Sequence, residues 1–313
     1  MKKEILQDVR HGKKLDWKGK KVQSLKIADS FHRLGEDKRA GRILFCGSEL
    51  TFRRDLETGE KTLEHANFCR ERLCPMCQWR RSLKIFRQVS QVMDRVEQQQ
   101  PNMVPLFLTL TLRNCEPQDL GQTLGEIFQG WYQLTKHRKI KRVVQGWFRA
   151  LEVTYNDEKN TFHPHLHAIV LVDRSYFKKA NKDYMQTTDW VRLWRTAMGL
   201  DYDPICDVRR LRSRKNKYKA LAEVAKYTYK DRQIIRKDEA LTDKLVAVLS
   251  TALKGRRLYA FGGVMKIAAK EIGLEQVGEG DLVHIDEDKI RTDVATMIEV
   301  YRWNFGVANY VRD

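Results

Sequence analysis

Three histidines at alternate positions carry the strongest chemical signal in the sequence. His163, His165 and His167 lead into an apolar run that ends at Val172. Side chains two residues apart on a β-strand point to the same side, so His165 and His167 would present two imidazoles to one metal ion. His163 would join them if the strand begins early. The pattern therefore predicts a metal site on the face of a strand.

A third ligand has to come from elsewhere in the chain, and Glu152 is the best candidate. It lies among apolar residues of a predicted strand over 147–155, where an unpaired carboxylate would be costly. A salt bridge from Glu152 to a nearby arginine is the alternative interpretation. Two imidazoles and one carboxylate would leave coordination positions open, as catalysis requires, and Mg²⁺ or Mn²⁺ would suit a phosphate substrate.

A glutamate and a tyrosine four residues apart form a second candidate pair. Glu223 and Tyr227 would share one face of a helix predicted over 218–230. A phenol, with a pKa of about 10, becomes a nucleophile when cations stabilise its anion and a metal polarises the phosphate under attack. Tyr229 would lie about 200° from Tyr227 around the helix and could not readily share its site. Such a pair alone is typical of a solvated helix face; the preceding metal motif and basic run favour catalysis.

Four cysteines indicate a structural zinc site. Cys69, Cys74 and Cys77 fall within nine residues, and Cys46 lies upstream beside a glycine. Four thiolates satisfy tetrahedral zinc with no open position. His65 is a competing fourth ligand. The N-terminus has no apolar secretory segment, so we expect a cytoplasmic protein in which metal thiolates form before disulfides.

The charge of the chain points to a polyanionic partner. Lys and Arg number 59 against 41 Asp and Glu, a net charge of +18, and each phosphate neutralised by such a cation releases a counterion. No apolar run approaches the roughly 20 residues of a membrane span, so we expect no membrane partner. The basic run 209–219 predicts a phosphate track, with a solvated loop as the alternative. The predicted DNA-binding residues are Arg209, Arg210, Arg212, Arg214, Lys215, Lys226 and Lys230.

Hydrophobic periodicity predicts an α+β domain around an antiparallel sheet, preceded by a metal-braced segment. Strands predicted over 147–155 and 165–172 are separated by a polar, turn-like stretch, so we expect them to pair as antiparallel neighbours. The predicted elements are a hairpin starting in 42–51 with a turn at 57–60, a helix over 77–98, strands over 104–112, 147–155 and 165–172, and helices over 120–136, 188–198, 218–230 and 238–254. The first thirty or so residues are weakly patterned and expected to be flexible. We predict three segments: a basic zinc-binding segment with a helix (1–100), a core that holds the candidate catalytic residues (101–232) and a helical C-terminal segment (233–313).

Five sequence segments occur in the order and spacing of a known family. They are FCRERLCPMCQWRRSLK, FLTLTLRN, EVTYN followed by HPHLHAIVLV, EVAKYTYK, and GRRLYAFGG. Between about Cys46 and Lys270, the chain thus resembles the rolling-circle replication initiators of small bacterial plasmids. These belong to the histidine–hydrophobe–histidine (HUH) endonuclease superfamily.

The resemblance implies a five-stranded antiparallel sheet flanked by helices and a site-specific nickase and strand transferase. It implies that Tyr227 attacks the scissile phosphate at the double-strand origin, leaving a 5′-phosphotyrosine and a 3′-OH that primes synthesis. His165 and His167 would hold the divalent ion, and Glu223 would activate water for the terminating cleavage. Tyr229 departs from the wider spacing of branches with a second tyrosine. The implied partners are single- and double-stranded origin DNA and a host helicase and polymerase, and a homodimer is compatible with the family.

Two other functions remain open from the sequence. A relaxase or transposase of the same superfamily would catalyse the same cleavage reaction in a different biological process. A zinc-braced nucleic-acid-binding regulator would lack catalysis. The paired histidines together with Glu223 and Tyr227 argue against the regulator, because a binding protein needs neither.

Overall fold

The computed structural model describes residues 4–10, 12–225, 231–274, 278, 280–285 and 295–313. The strands are β1 (Val9–Arg10), β2 (Lys13–Lys14), β3 (Glu49–Asp55), β4 (Lys61–Ala66), β5 (Met103–Thr111), β6 (Val144–Asn156), β7 (Thr161–Asp173), β8 (Cys206–Arg210), β9 (Tyr259–Gly263), β10 (Thr296–Asn304) and β11 (Asn309–Arg312). The helices are α1 (Trp17–Arg33), α2 (Asp37–Phe45), α3 (Pro75–Gln99), α4 (Leu120–Lys136), α5 (Arg138–Val143), α6 (Thr187–Met198), α7 (Arg214–Val224), α8 (Asp231–Ile234), α9 (Glu239–Leu253) and α10 (Val264–Glu271).

Two units make up the chain, and each combines segments that are separated in sequence. Unit 1 combines Met1–Lys84, Ile234–Ser250 and Glu279–Asp313, and unit 2 combines Ile85–Gln233 and Thr251–Gly278. The division at residues 100 and 232 that the sequence suggests stays a prediction. No helix in the described part of the chain is long and apolar enough to cross a membrane.

Unit 2 is built on a five-stranded antiparallel sheet in the order β8-β5-β7-β6-β9. The predicted α+β class, the five-stranded antiparallel sheet and the antiparallel pairing of β6 with β7 are confirmed. Strands β5 and β7 lie inside the sheet and are buried along almost their whole length, as their nearly continuous apolar sequences require.

Helices cover both faces of this sheet. On one face, the Trp131 ring of α4 meets Trp147 edge to face at 5.2 Å, and the Arg149 guanidinium lies 4.3 Å above the Phe128 ring. On the other face, α7 contacts β7 and lines a cavity together with His167. Side chains alternate along β6, so Glu152 lies on the opposite face from Trp147 and Arg149.

Unit 1 contains a four-stranded sheet in the order β11-β10-β3-β4. Its core is aromatic: Trp17 of α1 contacts Phe52 at 5.7 Å and Trp79 at 4.8 Å, and Phe52 contacts Tyr301 at 6.0 Å between ring centroids. Such edge-to-face pairs bury large apolar area with favourable ring electrostatics. Strand β3 pairs with β10 near the end of the chain, so the sheet joins segments that are distant in sequence.

The expectation that the first thirty or so residues are flexible was wrong for residues 17–30, which belong to helix α1. Helix α1 begins after Asp16, whose carboxylate accepts a hydrogen bond from the backbone N–H of Gly19 at 2.9 Å. Its buried face includes the polar residues Lys21 and Ser24 besides Trp17. These two polar residues interrupt the apolar period, which explains why the sequence pattern hid the helix.

Other element boundaries also differ from the prediction. Residues 42–45 belong to α2, so the hairpin consists of β3 and β4 and begins at Glu49. The C-terminal segment, expected to be helical, also supplies strands β9, β10 and β11. Strand β8, not predicted, lies at a sheet edge and has the charged sequence CDVRR. None of its five residues is buried, so its sequence lacks the run of apolar residues by which a buried strand is predicted.

Candidate active site

The register of two neighbouring strands assembles the predicted metal ligands. In the β6–β7 pair, Glu152 lies directly opposite His165, and Ala150 lies opposite His167. Cross-strand partners share a face of the sheet, and so do residues two apart on one strand. Glu152, His165 and His167 therefore project together from the face that α7 lines.

The three side chains converge on one point. The Oε2 atom of Glu152 lies 2.9 Å from Nε2 of His167 and 3.4 Å from Nε2 of His165. All three ligand atoms lie within 4.8 Å of one another, and the residues are buried. Two imidazole nitrogens and one carboxylate oxygen form a donor set that can hold a divalent ion and leave coordination positions open.

The Glu152 carboxylate is held in its charged form. Burial alone would raise its pKa, but the contacts of the carboxylate with the imidazoles of His165 and His167 outweigh burial and hold the pKa well below its usual range. An ionised carboxylate in a buried place is costly unless it is paired, and here the partners are the two imidazoles. The site thus supplies a negative charge at the point where a cation would bind.

Contacts behind the imidazoles fix which nitrogen faces the carboxylate. Nδ1 of His165 lies 3.2 Å from the backbone carbonyl oxygen of His163, and Nδ1 of His167 lies 3.1 Å from Oγ1 of Thr109. A carbonyl only accepts, so Nδ1 of His165 donates and its Nε2 is the atom left for a metal. His163 itself is outside the three-residue group. Its backbone positions His165.

Two residues of β5 that the sequence analysis did not single out complete the surroundings of His167. Thr109 lies opposite His167 in the β5–β7 register, and the Phe107 ring stacks on the His167 ring at 5.5 Å between centroids. The available signal was the polar side chain at an alternate position of FLTLTL, on the same face as the histidines. Only the strand pairing shows that this threonine meets a ligand.

A cavity of about 460 Å³ opens beside His167. Glu223 of α7, the predicted water-activating residue, lines this cavity together with His167. The predicted nucleophile Tyr227 lies outside the described residues, as do Tyr229, Lys226 and Lys230. The side chain of Arg214 is outside the description as well.

The basic run spreads over β8, α7 and the turn between them. Arg209 forms an ion pair with Asp207, and the Arg210 guanidinium lies 4.0 Å above the Phe177 ring. Arg212 and Lys215 are exposed. Of these four cations, Arg209 and Arg210 line the cavity.

The four predicted zinc ligands form one cluster in unit 1. The sulfur atoms of Cys46, Cys69, Cys74 and Cys77 lie within 4.8 Å of one another, and three of these residues are buried. His65 is exposed on β4 and outside this cluster, so Cys46 takes the fourth place. Closed clusters of four thiols are typical of structural metal sites.

Backbone geometry supports a metal at this cluster. Gly47 and Arg70, each directly after a cysteine, adopt left-handed conformations with φ of 59°. The backbone N–H of Cys69 donates to the sulfur of Cys46 at 3.3 Å, and that of Arg70 donates to the sulfur of Cys77 at 3.2 Å. Such donors stabilise thiolates, so the residues present fit a bound zinc ion.

A buried lysine adds a positive charge near the cysteines. Nζ of Lys21 donates to the backbone carbonyls of Leu44 and Cys46 at 2.7 and 2.8 Å. Burial lowers the pKa of Lys21, and the nearby thiolates of Cys46 and Cys74 act in the opposite direction. Four thiolates and one divalent ion carry a net negative charge, so a buried ammonium group partly balances it.

Comparison of the sequence with known proteins finds one family and several similar proteins of the same description. A family described as "Replication protein" matches residues 60–311. The chain is 37% identical to "Protein rep" of Bacillus amyloliquefaciens over 98% of this chain and 97% of that protein. It is 36% identical to "Protein rep" of Streptococcus pneumoniae serotype 2 over 98% and 94%, and 34% identical to "Protein rep" of Lentilactobacillus hilgardii over 99% and 99%. No solved structure matches the chain.

Proposed function

Because this chain belongs to the replication protein family, we propose that it initiates plasmid rolling-circle replication as an HUH-type, metal-dependent nickase and strand transferase. The observation that carries the proposal is the convergence of His165, His167 and Glu152 on one point beside a cavity that Glu223 lines. A regulator that only binds DNA needs no such open donor set. The implied substrate is single-stranded DNA at the double-strand origin.

In this proposal each residue has one task. Nε2 of His165, Nε2 of His167 and Oε2 of Glu152 would hold Mg²⁺ or Mn²⁺. When bound, the ion withdraws charge from the scissile phosphate. The phenol of Tyr227 gives up its proton to solvent, and its oxygen forms a bond to phosphorus. The P–O3′ bond breaks, and the departing 3′-oxygen takes a proton from solvent to become the primer hydroxyl. Glu223 accepts a proton from the water that ends the cycle.

The cysteine cluster would have a separate, structural task. A zinc ion on Cys46, Cys69, Cys74 and Cys77 would join the end of α2 to the start of α3 and so brace unit 1. All its ligand positions would be filled, so it would take no part in the cleavage.

A covalent-complex assay tests the proposed function. The full-length protein is incubated with a single-stranded origin oligonucleotide labelled on the 3′ side of the nick and Mn²⁺, and the products are separated under denaturing conditions. We expect a labelled band that resists denaturation, is lost in EDTA and is absent with a scrambled oligonucleotide. Sequence-specific binding of the oligonucleotide without any cleavage would contradict the proposal and favour the non-catalytic regulator.

We predict that Glu223→Ala separates the two cleavage steps. The first nick uses the tyrosine and should stay within about twofold of wild type, whereas the terminating step should slow by about 100-fold or more, because general-base catalysis is lost. Both rates are measured on the same oligonucleotide, the second as release of the covalent complex. An equal loss in both steps would count against the water-activating role.

We predict that Thr109→Val weakens metal binding about 10-fold or more. Valine keeps the shape of threonine but removes the oxygen that lies 3.1 Å from Nδ1 of His167, and loss of such an outer contact typically costs about 10- to 100-fold in affinity. Calorimetric titration with Mn²⁺ measures the effect, and Thr109→Ser, which keeps the hydroxyl, is the matched control. Equal affinities for all three proteins would show that Thr109 does not position His167.

A further inference from the structure

The cavity beside His167 has the lining of a nucleotide site. It belongs entirely to unit 2 and lies between β8 and α7, with a volume of about 460 Å³. Phe107 and His167 line it from the sheet, Arg209 from β8, and Lys219 and Glu223 from α7. Cavities of this size hold small ligands or single nucleotides. Because His167 is both a proposed ligand and part of the wall, whatever fills the cavity lies next to the metal site.

One part of the wall is apolar. The Phe107 ring lies against the His167 ring at 5.5 Å, and the buried residues Leu211 and Ala220 also line the cavity. Apolar and aromatic surface of this kind accepts the flat face of a nucleobase without selecting its identity. This part of the cavity therefore fits a base that has left a stack.

Another part of the wall is cationic, and its cations are not equivalent. Arg209 already bonds Asp207, and Arg210 lies over the Phe177 ring. Lys219 projects from α7 as an exposed side chain. An ammonium group on a flexible stem contacts a phosphate as a point charge. Lys219, which was not among the predicted DNA-binding residues, is the cation best placed to contact a backbone phosphate at this cavity.

We infer that this cavity binds one nucleotide of the single strand being cut, adjacent to the scissile phosphate, with its base on the apolar wall and its phosphate at Lys219. The inference rests on the proposed function for the identity of the strand. The cavity has room for one nucleotide and not for a paired duplex. It therefore selects DNA that is already unpaired at the cut site.

A matched pair of variants on α7 tests the phosphate contact. Lys219→Gln and Lys217→Gln remove the same charge from the same helix, but Nζ of Lys217 bonds the carboxylate of Glu97 at 3.0 Å and does not line the cavity. Binding of the single-stranded oligonucleotide is followed by fluorescence anisotropy in EDTA, where nothing is cut, at several salt concentrations. For Lys219→Gln we expect about 10-fold weaker binding and a salt slope reduced by about 0.7. Equal losses in both variants would overturn the inference.

Abasic oligonucleotides test the base contact without changing the protein. Removing one base at a time on each side of the nick should weaken binding by about 5- to 150-fold at a single position next to it, the range expected for one stacked base. A flat profile across all positions would overturn the base part of the inference. The two proposals can fail separately. If the protein never forms a covalent complex but Lys219→Gln alone weakens binding, the nickase is refuted and the nucleotide site is supported.

Discussion

Replacing Tyr227 with phenylalanine should abolish the covalent protein–DNA complex. The substitution removes only the phenolic oxygen, so the aromatic ring is retained while the proposed nucleophile is lost. Loss of a catalytic nucleophile lowers the rate by on the order of 10⁴-fold or more. We expect no denaturation-resistant band with the origin oligonucleotide and Mn²⁺, and no cleaved strand above background, although binding of the oligonucleotide in EDTA stays close to that of wild type.

The neighbouring tyrosine supplies the matched control for this result. Tyr229→Phe makes the same change two residues further on, at a position that the helix predicted from the sequence would turn about 200° away from Tyr227. It should form the covalent complex at nearly the wild-type rate. A covalent complex that persists in Tyr227→Phe and disappears in Tyr229→Phe would show that the nucleophile is assigned to the wrong tyrosine.

Replacing Cys74 with serine should release zinc and destabilise unit 1. Cys74 is fully buried within the cluster, and a serine hydroxyl is a poor substitute for a thiolate at a zinc ion. Since binding of a structural metal adds directly to folding free energy, we expect a loss of at least about 4 kcal/mol. Elemental analysis gives the zinc content, and thermal unfolding gives the change in stability.

Cys115 offers the control for this experiment. It is a half-buried free thiol in unit 2, outside the four-cysteine cluster. Cys115→Ser should keep one zinc per chain and unfold near the wild-type temperature. A stoichiometric zinc content in Cys74→Ser would refute the four-thiolate site.

The grouping of Glu152, His165 and His167 is the part of the structure that the sequence predicts best. A strand repeats every two residues, so three alternating histidines already say which side chains share a face. Glu152 was the carboxylate within the preceding predicted strand. Because only a short polar stretch joins the two strands, antiparallel pairing was the expected arrangement. The structure confirms that pairing and brings Glu152 to His165 and His167. Each of these predictions involves residues that are close in sequence, and such residues keep their relation to one another in the folded chain.

Long-range pairings could not be obtained in the same way. Strand β10 pairs with β3, and Glu299 of β10 forms an ion pair with Lys61 at 2.8 Å. The sequence of neither strand indicates which distant strand it pairs with. Helix α1 was hidden for a related reason, because Lys21 of its buried face is satisfied by carbonyls of Leu44 and Cys46. A buried polar residue looks like a surface residue until its partners are known.

The most direct measurement of the central claim is the position of a bound Mn²⁺ ion. Crystals of the full-length chain soaked in Mn²⁺ and measured at the manganese absorption edge should show one anomalous peak bound by Nε2 of His165, Nε2 of His167 and Oε2 of Glu152. A peak at that point is the result we predict. No peak there, or manganese bound only by other residues, would contradict the proposal that these three side chains hold the catalytic ion.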